Sequence, residues 1–158
     1  MTTVATKLSG GKILLLNNFS WISQPNFTLT DVVAVTHSAS AVKIPGTEGF
    51  SYTYRDAYGL HSVAESSTTR NSYGIAKTFN LKSFGADSPP YDHTGYVSVQ
   101  VEKGNTGDTK ANAYGHYSHT TVRIGTSVSV SIPKAGSINI TGQLSKTDMP
   151  DSMVLFNY

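Results

Sequence analysis

The chain has no cysteine, one tryptophan, three methionines and, among its 158 residues, only 14% Asp, Glu, Lys and Arg. Each scarcity excludes something. Without thiols there is neither a disulfide framework nor a thiolate metal site, and Cys-dependent catalysis is ruled out. Twelve basic against ten acidic residues give a formal charge of +2. That balance is too mild to drive a lone monomer onto nucleic acid, although a multimer concentrates charge on one face. Glutamates are so few, and the carboxylates so scattered over the predicted strands, that no couple for a glycosidase-type mechanism is visible. The longest aliphatic run near the start, Lys12–Leu16, is far short of a bilayer span and follows no cluster of positive charge or cleavage pattern. No membrane contact and no signal peptide are therefore expected. Phosphate loops, dinucleotide fingerprints, nucleophile elbows and zincin motifs are also missing, so no cofactor, no metal, no small-molecule ligand and no enzyme activity are expected.

What is present is the composition of a β protein. Ser and Thr make up about a quarter of the chain, and nine tyrosines accompany the one Trp. Val, Thr and Tyr suit strands, and Ser with Gly suits turns. The length predicts a single domain over 1–158, able to bury about 68–70% of its unfolded surface. Nearly every apolar stretch has period two, separated by Gly, Pro, Asn and Asp clusters. The expected fold is all-β, an antiparallel sheet of some six to eight hairpin-linked strands: 12–17, 28–36, 50–54, 73–82, 96–103, 117–125, 128–132 and 137–144. Residues 63–73 read as a polar loop and 145–158 as a buried or partner-covered tail. Three Tyr-Gly pairs, at 58–59, 73–74 and 114–115, have unequal spacing and read as glycine bends or bulges where strands begin.

Five histidines are the available acid–base groups. His116 and His119, three apart on a strand, fall on opposite faces unless Gly115 opens a bulge. Asp92-His93 has the spacing of an oriented imidazole for hydrolase chemistry, but sits in a turn where Asp is a good turn residue. Phe50, Tyr52 and Tyr54 share a face and read as core, whereas Tyr91, Tyr96, Tyr114 and Tyr117 are candidates for stacking ligands.

In "GYVSVQVEKG", Val97, Val99 and Val101 alternate with polar residues, and the strands at 73–82 and 117–125 show the same contrast. Joined in one sheet, they give a polar face of Thr78, Asn80, Lys82, Ser98, Gln100, His119, Thr121 and Arg123, suited to phosphates and unpaired bases. The order "SYGIAKTFNLKSFG", turn, "GYVSVQVEKG", polar loop, "YSHTTVRIGTSV" resembles the central hairpins of single-stranded RNA bacteriophage coat proteins over residues 72–127. The resemblance implies a virion subunit made in the host cytoplasm, dimers assembling into a shell, the polar face against packaged RNA, and loops 85–92 and 104–112 between dimers. That family ends in two helices, whereas 126–158 here reads as strands. The leading expectation is a self-assembling coat subunit, with RNA and further copies of itself as partners. The alternative is an extracellular or surface β-sandwich recognition module, lectin-like or toxin-like, using tyrosine-bearing loops.

Overall fold

The computed structural model describes residues 1–21, 29–82, 88–123, 125 and 127–158. Over these the alternating segments become thirteen strands: β1 (Thr2–Lys7), β2 (Ile13–Ser20), β3 (Thr30–His37), β4 (Ala41–Lys43), β5 (Gly49–Asp56), β6 (Gly59–Ser62), β7 (Ser67–Asn71), β8 (Gly74–Asn80), β9 (Tyr91–Lys103), β10 (Lys110–Arg123), β11 (Ser129–Ser131), β12 (Asn139–Thr141) and β13 (Gln143–Asn157). A 3-10 turn, Ser9–Gly11, links β1 to β2. Two antiparallel sheets stack as a sandwich. The first runs β1-β2-β9-β5-β6 with β4 also on β9, the second runs β13-β10-β3-β8-β7, and β11-β12 is a separate ribbon.

Alternation explains the interior. Ile13, Leu15 and Phe19 of β2 and Val97, Val99 and Val101 of β9 meet Val33, Val35, Ile75, Phe79 and Tyr117 of the second sheet. Each such side chain contributes about 1.5–3 kcal/mol when fully buried. The Phe19 ring lies at the centre, 5.3 Å from Phe79 and 4.8 Å from Tyr117 between centroids. Its seat requires Gly95 on β9, where a Cβ would come within 2.6 Å of the ring. One polar strut crosses the interior: Asn17 Nδ2 donates to the carbonyls of Ala34 (2.9 Å) and His116 (3.2 Å) in the opposite sheet. Gly115 makes room for it, since a Cβ there would stand 2.3 Å from Asn17 Oδ1.

The second sheet is covered on its outer side too. Val32, Ala34 and Ala76 pack beneath Val128, Val130 and Ile132 of the β11 segment. Strand β3 is consequently buried over its whole length, which is why "DVVAVTH" shows no clear alternation. The ribbon is tied down by Thr69 Oγ1 to the Val130 carbonyl (3.1 Å) and Asn71 Nδ2 to the Ile132 carbonyl (2.6 Å).

Several expectations are corrected. The strands at 73–82, 96–103 and 117–125 do not form one sheet: β9 belongs to the first sheet, β8 and β10 to the second. The connection after β9 crosses between layers, so that the valines of β9 face the core from the opposite side. Residues 67–71 of the supposed polar loop form β7, and the supposed tail forms β13, paired to β10 from Lys110↔Asn157 to Arg123↔Gln143. The tail is thus an edge strand, with Phe156 buried and Met153 and Leu155 exposed. The Tyr-Gly reading fits the structure: Gly59 and Gly74 open β6 and β8 with φ of 127° and 154°, and a register shift against β13 follows Gly115.

Candidate functional site

The eight residues assigned to an RNA-facing surface are dispersed. Ser98 and Gln100 lie on the outside of the first sheet, Ser98 largely buried. Thr78 is buried in the second sheet, its hydroxyl 2.7 Å from Ser67 Oγ. Asn80 ends β8, its side chain accepting from Thr30 Oγ1 at 3.1 Å. Lys82 is exposed beyond that end, while Thr121 is half-buried in β10. Arg123 ends β10, and its side chain lies outside the described residues, as do 83–87 of the proposed inter-dimer loop. His119 points into the core against Asp31. On β10 the expected orientation is reversed, with Tyr117 and His119 buried and Val122 exposed. The polar side chains are satisfied inside, and register shifts between Thr120 and Arg123 break the alternation on which the expectation rested.

The histidines separate in the same way. His116 faces outward to Asp151 (3.0 Å), and His119 inward to Asp31 (2.8 Å). Asp92 and His93 do not act as a pair: His93 is buried with Nδ1 2.8 Å from Tyr52 Oη, and Asp92 is exposed. Burial holds the His93 imidazole below its ordinary value and pushes the Tyr52 phenol up. Asp92 has φ of 51° beside a register shift between β5 and β9. Left-handed backbone is tolerable for Asp, and here it lets His93 turn in while Asp92 turns out.

The surface those shifts shape is the outer face of the first sheet. Two adjoining depressions of about 480 and 570 Å³ share Ser20, Thr53 and Thr94. One reaches Thr2, Asn18, Ser51 and Tyr96 across β1, β2, β5 and β9. The other reaches Trp21, Arg55, Leu60 and Asp92, extending the groove to β6. Cross-strand register explains the alignment. Thr2↔Asn18, Asn18↔Tyr96, Ser51↔Tyr96, Thr53↔Thr94 and Arg55↔Leu60 are direct partners, so their side chains stand in rows on one face. Five strands at about 4.8 Å spacing make a trough about 19 Å long, the length of about six extended residues. Its lining is hydroxyl, amide and aromatic, with Arg55 and Asp92 as the charged members.

Sequence reasoning found Tyr96 and Tyr91 but missed Asn18, Ser20, Trp21, Ser51, Thr53 and Thr94. The signal was present in "FSYTYR", where Ser51, Thr53 and Arg55 oppose the aromatic stripe. Which strands lie beside β5 was not readable. Of the tyrosine candidates, Tyr117 is buried, Tyr114 lies against the Gly136 turn, and Tyr91 is exposed beside the groove.

No family model and no curated protein sequence matches the chain. Among solved structures it is similar to the collagen-binding subdomain of the Enterococcus faecalis surface protein ACE, with TM-score 0.52 and 8% identity over 96% of this chain and 93% of that one. It is also similar to the collagen-binding domain of the Erysipelothrix rhusiopathiae surface protein RspB, with TM-score 0.49 and 8% identity over 97% of this chain and 48% of that one. A third likeness, to the pilus backbone protein of Streptococcus pneumoniae, has TM-score 0.41 and 7% identity over 93% and 40% of the two chains. At 8% identity the first match shows the fold alone, an antiparallel β-sandwich.

Proposed function

We propose that this chain is a non-enzymatic extracellular recognition module that binds an extended polypeptide across the outer face of its first sheet. The observation that carries the reading is the weakly charged trough crossing five strands. Its hydroxyls and the Asn18 amide offer donors and acceptors to peptide groups, and Tyr96 and Trp21 offer apolar contact at low entropic cost. Phosphate-rich ligands call for many cations, and this face supplies Arg55. The full-length likeness to a collagen-binding subdomain makes collagen the first ligand to try, and a surface location the expected one.

Solid-phase binding of the protein to immobilised triple-helical collagen, with gelatin and fibronectin beside it, tests the proposal. Saturable binding that Thr53→Arg abolishes while the melting temperature holds is the expected result. Absence of binding to every polypeptide, with nucleic-acid-rich particles eluting in the void volume of a sizing column, would overturn it in favour of a shell-forming subunit.

A further inference from the structure

Beneath one end of the trough lies a buried carboxyl group that packing does not require. Asp31 of β3 is fully buried. Its carboxylate accepts from the Tyr117 hydroxyl at Oδ2 and from His119 Nδ1 at Oδ1, the latter at 2.8 Å. Tyr117 and His119 are two apart on β10 and so share the inner face, and His119 is the direct cross-strand partner of Asp31. The Tyr117 hydroxyl also accepts from Trp21 Nε1 at 2.8 Å. Its lone pair and its proton are both engaged, which fixes the rotor and links Trp21 to Asp31 in one polarised chain. His119 closes the other side, its ring edge-on to the indole at 5.0 Å.

A buried carboxylate of this kind is poor evidence for stability, because apolar replacements of buried charged groups are often neutral or stabilising. The chain of bonds leads instead to a surface. Trp21 follows β2, its backbone N–H donates to the His93 carbonyl at 2.9 Å, and the half-buried residue lines the trough beside Arg55, Leu60 and Asp92. We infer that Asp31, acting through Tyr117, is a positioning residue that holds the Trp21 indole as the end wall of the binding trough. The inference rests on the functional reading above for the use of that wall, while the holding of Trp21 is a property of the unliganded protein.

Trp21 is the sole tryptophan, so its fluorescence and its indole N–H resonance report this one bond. Tyr117→Phe keeps the ring and removes the hydroxyl. It is expected to red-shift the emission, raise acrylamide quenching and speed exchange of the indole proton. Collagen affinity should weaken about tenfold, the size of one hydrogen bond's loss. Asp31→Asn, with similar shape but no charge, is expected to move the same signals less, and serves if the phenylalanine variant does not fold. Folded variants with wild-type quenching and indole exchange would overturn the positioning role. Loosened Trp21 with unchanged collagen affinity would overturn its role as a wall. A wild-type protein that ignores collagen would tell against the functional reading alone, and quenching would still decide whether Asp31 holds Trp21.

Discussion

The two outer faces of the sandwich are built from similar strands and meet opposite fates. Over the second sheet, Val32, Ala34 and Ala76 disappear under Val128, Val130 and Ile132. Over the first sheet, Ser51, Thr53, Thr94 and Asn18 border open depressions. The difference follows from what each face presents. Small apolar side chains on β3 and β8 gain by excluding water and attract a third layer. Hydroxyls and an amide on β2, β5 and β9 lose little in water and keep their hydrogen-bonding capacity for a ligand. Stability therefore concentrates on one side of the molecule, and the proposed recognition on the other.

The comparison breaks most sharply on the covered side. Ala34→Asp puts an uncompensated charge under the ribbon, and a loss of about 3–5 kcal/mol in urea unfolding is expected. Ile132→Ala removes part of the cover and should cost about 2–3 kcal/mol, with dye binding to the uncovered sheet as a second readout. Acid should act next. Burial holds the imidazoles of His37 and His93 below their ordinary 6.5. The unfolded chain then takes up protons that the folded one refuses, so stability is full above about pH 6.5 and is lost as pH falls below it. Burial raises the Asp31 carboxyl, and this group acts with the opposite sign, its contribution growing towards acid. A denaturation series between pH 7 and 5 should show the decline, and a variant lacking either imidazole should show a shallower one. Smallest of all is Thr53→Arg on the open side, expected to change stability by no more than about 0.5 kcal/mol.

Much of the architecture was legible because β pattern is local. Alternation in "VSVQV" and the glycines at 59 and 74 depend on nearest neighbours along the chain, and they marked strands and turns correctly. Layer assignment is not local. Nothing in "GYVSVQVEKG" distinguishes a strand beside β10 from one facing it across the core, so the eight-residue polar face was assembled from two sheets. Tyr117 and His119 were placed outside because polar residues usually are. Asp31 from β3 and Trp21 from just beyond β2 supply the hydrogen bonds that their burial needs. Strands β1 and β7 escaped detection because their Thr- and Ser-rich edges lack the apolar half of the pattern. The trough was hidden for the same reason as the layers, since its rows are cross-strand neighbours with distant sequence numbers.

The most direct measurement places one matched charge on each face: Thr53→Arg in the trough and Ser129→Arg on the exposed side of the covering ribbon, both assayed on the same immobilised collagen beside wild type. Loss of binding in Thr53→Arg alone, at equal melting temperatures, is the predicted result. Wild-type binding by Thr53→Arg, or loss confined to Ser129→Arg, would contradict the assignment of recognition to the open face.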